Sequence, residues 1–493
     1  MLNRLRCMVP ALLAAAMVVS IGSGCSKQAR KARYAERAER YYEAGDYNRA
    51  EIEYKRVLRL EPGNFKAVYR LGSIYESQGR LVRAAAFLFG ARSMDTNNLD
   101  VRVKCGYILS ASGKAKEARD EAVFVLDRNP AHPEAPLLLV DTIRDRSEIP
   151  AVRGMLEKYR QRGGETVAYH LALGNLAMRE GDSANAEVEF KRALAMDPKS
   201  GAANFALGSM YLVKGDLKQA EAYYKAGAEL EPIRSNRRLR YADFKLQTGA
   251  VDEAKKLLEE TVEKAPDYLP AYKRLAQITL GERKFDDCAA ALRKVLLRED
   301  SDLDALMLRG RMRLLQQQSA EAVKEFTQIA SKYPRVPSVH YNLAIAHLLN
   351  RDLAKAIASL NEAVRLEPDY TDAAMLLSEL NLRKGDAGAA ITSLRQLLQR
   401  QSNNVPAHLL MANAYLARRM PDEALGVYRR LASMMPTNPQ PPFLMGRVLR
   451  SQGKIQEARQ AFERAASFAP DDLVLLEQLV DLDLSERMYD SAL

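Results

Sequence analysis

Beyond residue 30, apolar residues recur at three- and four-residue steps, the spacing that lines one face of an α-helix. The pattern has a longer period as well. Stepping by 34 from Lys31 keeps each feature in phase through Asp472, giving thirteen repeats with no insertion or deletion and a partial fourteenth over 473–493. Position 20 of the repeat is small: Ala50, Ala84, Ala118, Ala186, Ala220 and Ala254, with Val152 and Cys288 as variants. Position 24, one turn later on the same face, is large and apolar, as at Tyr54, Leu88, Phe190, Tyr224, Phe326 and Phe462. Position 8, where two helices cross, is often glycine, as at Gly72, Gly106, Gly174, Gly208, Gly310 and Gly446. Position 15 often carries a glycine suited to end the first helix, such as Gly45 or Gly385. Position 32 often carries a proline that stops the second, such as Pro62 or Pro368. The pattern predicts an all-α chain of helix-turn-helix units. No such hairpin can bury its apolar face alone, so neighbours must stack.

This period and its small-glycine-alanine-aromatic-proline columns resemble the tetratricopeptide repeat family, over residues 31–493. The resemblance implies a right-handed superhelical solenoid whose first helices line a concave groove through positions 2, 5, 9 and 12. Position 5 supplies the groove candidates Tyr69, Phe205, Lys273, Tyr341 and Phe443, and position 9 supplies Tyr107, Asn175 and Asn413. An apolar row beside a polar row suits an extended peptide or a partner helix. Part of the position-5 row serves equally well as packing between hairpins. A carboxylate clamp is not expected: Lys273 with Gln277 comes nearest, and Leu308 and Ser338 follow where Lys and Asn are needed. An asparagine ladder is excluded because its column holds only Asn342.

Two places break the repeat. Repeat 4, residues 133–166, has Pro150 near its second helix, Val152 in the small column and Gly163-Gly164 in place of proline. It reads as a degenerate hairpin and a flex point between repeats 1–3 (31–132) and repeats 5–13 (167–472). At the end, Leu475, Leu476, Leu479, Val480 and Leu482 are left without a following helix. Arrays need a polar cap for solubility, so the sequence reads as truncated.

Residues 1–24 follow a different pattern. Arg4 and Arg6 precede an apolar run from Met8 to Ile21, then Gly22-Ser23-Gly24-Cys25, the layout of a secretory signal. It resembles a bacterial lipoprotein signal. Ser23, Gly24 and Cys25 match, while Gly22 stands where Leu is usual. The resemblance implies lipidation of Cys25, a short linker over 25–30, and a periplasm-facing anchor, in the outer membrane more than the inner. Two or three acyl chains hold where one does not.

Composition narrows the functional classes. The net charge is +11, but the signs are interspersed. The two basic clusters, Lys27–Arg33 and Arg234–Arg240, are too short or too diluted for a nucleic-acid stripe. Cys105 and Cys288 fall on core positions of repeats 3 and 8, too far apart to join. The five histidines occupy packing slots or, for His132, a loop; His340 and His347 share a helix face without further ligands. No phosphate loop, nucleophile elbow or dinucleotide fingerprint is present, and the repeats leave no stretch for a catalytic domain. The expectation is a non-enzymatic, cofactor-free scaffold for proteins or peptides of the cell envelope, binding no nucleic acid and no small molecule. The layout resembles large tetratricopeptide lipoproteins of bacterial envelopes, one group of which accompanies exosortase and exopolysaccharide export. Two alternatives stand beside it: the recruiting array of an enzyme continuing past Leu493, and a polysaccharide or cell-wall assembly factor. The absence of Trp weighs against sugar binding.

Overall fold

The computed structural model describes residues 27–485, so the leader and Cys25 lie outside the described residues. From residue 27 onward the chain is an unbroken succession of α-helices, and no strand occurs among the described residues. Each repeat contributes two helices, as in Phe65–Ser77 with Leu81–Met94, or Gly201–Val213 with Leu217–Leu230. Within each of the chain's two compact units, helices that follow one another in the chain pack together. Over the described residues the chain is all-α, a run of about thirteen helix-turn-helix repeats. Among the described residues, no helix is long and apolar enough to cross a membrane.

The 34-residue register accounts for the local geometry. Every described position-20 side chain from Ala50 to Ala458, Val152 and Cys288 included, is at most 1% exposed. The position-24 ring lies across the position-8 glycine: a Cβ on Gly446 would stand 2.6 Å from the Phe462 ring, inside contact distance. Helix starts are capped where the sequence offers a short polar residue. Asp46, Asn64, Asp182, Ser200, Asp216 and Asn404 each accept a hydrogen bond from the N–H three residues on. Position 15 is left-handed at eight glycines, and also at Arg283, Gln317, Arg351 and Arg419. The turn imposes that conformation whether or not glycine is present. Ser147 of repeat 4 is the exception.

Repeat 4 departs as its sequence suggests. Its first helix is cut to Ala135–Asp141, a 3-10 turn Arg146–Glu148 follows, and the second helix runs Ile149–Gly163. Pro150 lies in the first turn of that helix, where its missing N–H has no intrahelical partner to lose. Leu138, Val152, Leu156 and Tyr159 still join one core with repeats 3 and 5. Arg119 reaches across to Thr142 and Glu148.

The chain divides into two compact units between Asp302 and Leu303. In the first, repeats 1–2 meet repeats 6–8, joining residues 189 to 250 apart in the chain. Leu269 N–H donates to the Gln78 carbonyl at 3.0 Å, and Gln78 Nε2 donates to Asp267 at 3.1 Å. Arg234 donates to the same carboxylate at 2.8 Å and to the Gly45 carbonyl at 3.4 Å. Arg298 donates to Asn48 at 2.7 Å. Arg80 and Arg83 flank Glu299, at 3.8 and 3.4 Å. Gln78 is 0% exposed, Asp267 1%, Glu299 3% and Arg80 4%, so this is a sealed contact and not a surface encounter. A side chain at Gly79 would collide with the Pro270 ring. The 34-residue period contains no sign of this closure, because it joins repeats five to seven steps apart.

The second unit packs more regularly, around Leu360, Leu377, Leu394 and then Leu431, Phe462 and Leu482. In its last described helix, Leu473–Ser485, Leu475 and Leu482 are buried on the preceding repeat. This corrects the expectation that both lack a partner. Leu473, Val474, Leu476, Val480 and Leu484 are exposed.

Candidate functional site

Five first helices of unit 1 converge on one cavity of about 400 Å³. They are Leu99–Ala111, Ala135–Asp141, Val167–Glu180, Gly201–Val213 and Asn236–Gln247. In the second, third and fourth of them, positions 5 and 9 project from the same face, since four residues make about one turn. Leu137, Leu171 and Phe205 give an apolar row; Tyr107, Asp141, Asn175 and Ser209 give a polar row beside it. Arg237 and Arg240, from repeat 7, complete the lining, with Arg240 at 3.4 Å from the Ser209 hydroxyl.

The polar row is partly committed to the protein. Tyr107 Oη donates to the Glu134 carbonyl at 3.3 Å. Burial pushes the Tyr107 hydroxyl well above its ordinary pKa, and the nearby Glu134 and Asp141 carboxylates push the same way. Ser209 Oγ hydrogen-bonds to the Phe205 carbonyl and the Tyr224 hydroxyl, both at 2.9 Å, and receives a weak 3.4 Å contact from Arg240. Asp141 is solvent-accessible but set inside the concave wall. Dehydration raises its pKa despite the opposing pull of Arg179, Arg144 and Arg240. The walls remove enough water to outweigh three cations.

The predicted groove residues do not form one site. Tyr107, Asn175 and Phe205 meet in the cavity, with Phe205 only 1% exposed, a floor residue already packed on Tyr224. Tyr69 is half-buried and stacked on Phe65 at 6.0 Å. Lys273 pairs with Asp302 at 3.0 Å. In unit 2, Tyr341 packs on Tyr370 at 5.3 Å and Asn413 is exposed. Phe443 borders a separate cleft of about 200 Å³ with Val474 and Leu475. Sequence reasoning passed over Arg237 and Arg240 as cavity residues. Asp141 stands in the position-9 column. The two arginines sit at positions 3 and 6 of repeat 7, and only the curvature that sets repeat 7 against repeat 3 exposes their role. Of the basic cluster here, Arg234, Arg237 and Arg238 pair with Asp267, Glu231 and Glu260.

The remaining chemistry is structural. Among the described residues, no group of three His, Cys, Asp or Glu is placed to hold a metal. His170 is bonded to Glu189 at 2.7 Å, and His340 and His408 to backbone carbonyls at 2.9 Å. Cys105 and Cys288 are free and 0% exposed, and burial raises the Cys105 thiol to about 12.

Two family models described as tetratricopeptide repeat match this chain. One matches over residues 211–278, 245–312, 381–441 and 416–481. The other matches over 36–93, 171–232, 313–371 and 341–406. Among solved structures, yeast Tom70 is similar at 14% identity and a TM-score of 0.45, covering 92% of this chain and 99% of that one. The Cut9–Hcn1 assembly of the APC/C is similar at 13% identity and 0.34, covering 92% and 96%. The MamA protein is similar at 19% identity and 0.30, covering 34% and 91%.

Proposed function

The chain belongs to the tetratricopeptide repeat family, and from that premise we propose that it is a scaffold holding a partner protein's extended segment in the unit 1 cavity. The observation that carries this reading is the convergence of five first helices on one cavity with an apolar row beside a polar row. An extended chain turns alternate side chains to opposite sides. It can therefore seat one set against Leu137, Leu171 and Phe205 while its amides face Tyr107, Asn175 and Ser209. Scaffolding is the ordinary work of this fold, and no residue arrangement described above favours catalysis. Nucleic acid, metal and organic cofactors have no part in this reading.

The setting we propose is the periplasmic side of a membrane, the outer one in preference to the inner, with Cys25 lipidated as the tether. Support for that comes from the leader and the Gly22-Ser23-Gly24-Cys25 sequence. The remaining groove candidates, Tyr69, Lys273, Tyr341, Asn413 and Phe443, would serve longer segments as secondary contacts. A photo-crosslinking residue at Asn175 in the full chain, exposed in cells, should trap a discrete partner. A double Tyr107→Ala, Leu171→Ala variant should lose it while keeping its helical content. An unchanged adduct pattern in that variant rules out the cavity. Cys25→Ser should move the protein out of the membrane fraction, and persistent retention rules out the tether.

A further inference from the structure

Resting on the reading of the unit 1 cavity as a peptide site, we infer that the segment it takes is acidic: an extended stretch with Glu or Asp alternating with apolar residues. Three guanidinium groups, Arg240 in the cavity lining and Arg144 and Arg179 near enough to act on the lining Asp141, form no ion pair with a carboxylate among the described residues. Arg240 reaches only the Ser209 hydroxyl at 3.4 Å. Arg144 donates to the Ser110 carbonyl at 2.6 Å, and Arg179 to the Ile143 carbonyl at 3.2 Å. Other arginines in the unit pair with acids, as Arg70 does at Glu39 and Arg274 at Asp243. The three share one anion, Asp141, whose carboxylate they all influence from beyond hydrogen-bond range. Arg240, Arg144 and Arg179, with Arg237 paired to Glu231, outnumber the Asp141 and Glu134 carboxylates, and the same walls that dehydrate Asp141 strengthen the field on an incoming charge.

The polar and apolar parts are spaced for one ligand. The apolar row at Leu137, Leu171 and Phe205 lines the same cavity as Arg237 and Arg240. A strand laid between them presents alternate residues to each: apolar to the floor, acidic to Arg240, Arg144 and Arg179. Guanidinium is suited to this because its donors fit a carboxylate in a fork. Asp141 opposes the acid and sets a ceiling on affinity.

The probe is a fluorescein-labelled peptide of alternating Leu and Glu, acetylated and amidated at its ends. Peptides with Lys or Gln in place of Glu serve as controls. Binding to the full chain is read by anisotropy. The Leu–Glu peptide should bind more tightly than the Gln peptide, and the Lys peptide least. Arg240→Gln should weaken the Leu–Glu peptide about fivefold, with an unchanged thermal melt, since Arg240 is exposed. Asp141→Asn should tighten it about threefold, a gain that misfolding cannot produce. Equal binding of the Glu and Gln peptides overturns the assignment while leaving the peptide cavity standing. Preference for the Lys peptide, or binding that requires a free terminal carboxylate, also overturns it. Crosslinks at Asn175 that survive the Tyr107→Ala, Leu171→Ala change would instead remove the cavity reading itself.

Discussion

The contact that closes unit 1 makes a sharp prediction, because it lies outside the repeat logic that stabilises everything else. Asp267 sits at its centre. Its carboxylate accepts from Gln78 at 3.1 Å and from two nitrogens of Arg234 at 3.0 and 2.8 Å, with 1% of the residue exposed. Asp267→Ala removes the acceptor for both. Breaking a buried charged pair by deleting one partner costs about 3–5 kcal/mol. Arg234 keeps 19% of its side chain exposed and can recover some water, which reduces the figure to about 2–3 kcal/mol. One other polar pair is weak: Arg80 Nε and Glu299 Oε2 stand 3.8 Å apart, and both atoms are buried without a hydrogen bond. The Leu269–Gln78 and Arg298–Asn48 hydrogen bonds remain, so the loss should loosen the closure.

In a stack where each repeat touches its neighbours, such a loss opens the closure without melting the helices. Dyes or spin labels on cysteines placed at Leu81 and Leu297, both exposed and close in sequence to the contact, report the gap. The wild type should give one short, narrow distance. Asp267→Ala should give a longer, broader distribution with unchanged helical circular dichroism, and Asp267→Asn an intermediate one. High salt should move the wild type the same way, weakly, because the charges are sealed from solvent. A narrow, unshifted distribution in Asp267→Ala would show that apolar packing around Pro270 and Leu269 closes the unit and that the polar group is incidental.

Three further outcomes follow from single residues. In unit 2, one substitution at three glycines should act three ways: Gly385→Ala, at φ +87° with open space around it, destabilises by about 1 kcal/mol. Gly426→Ala, helical and open, stabilises by about 0.5–1 kcal/mol, and Gly446→Ala destabilises most because its Cβ meets the Phe462 ring; chemical denaturation ranks them, and a common sign would refute the turn argument. Cys105, with its thiol near 12, is roughly one part in ten thousand thiolate at pH 8, so maleimide should label it only after denaturation; rapid native labelling would contradict the burial. Burial lowers the His347 pKa below 6.5, so the unfolded chain takes up the proton first and stability falls as pH drops through that value towards the folded one. Melting at pH 5.5 should be below that at 7.5, and His347→Tyr should flatten the difference.

The register, the small column at position 20 and the helix pairing were legible in the sequence because nearest-neighbour packing writes the same requirement every 34 residues. Even the left-handed turn could be read at Arg283, Gln317, Arg351 and Arg419, since the column predicts a turn where the residue type does not. The groove was legible only as two rows. Tyr107, Asn175 and Phe205 came together because they are separated by whole repeats on one wall. Arg240 and the Gln78–Asp267 contact depend on how far the wall has curved after four or five repeats. Curvature accumulates from small rotations at each interface, and no single residue encodes it. Tyr341, Asn413 and Phe443 obey the same columns in a unit where no corresponding cavity gathers them.

The closing contact also changes what the cavity can be. In an open array, small changes at any interface alter the distance between repeats 3 and 7, and a pocket spanning them has no fixed width. Joining repeat 2 to repeats 7 and 8 sets that width, because errors in the intervening repeats must sum to a closed path. Tyr107 and Arg237 can then face each other closely enough for one charge to act on the other's hydroxyl. A preformed cavity saves a ligand the ordering of its own site. It also means that a wide or folded ligand must first break the Asp267 contact. A single extended segment is therefore the shape that this unit admits most easily when closed.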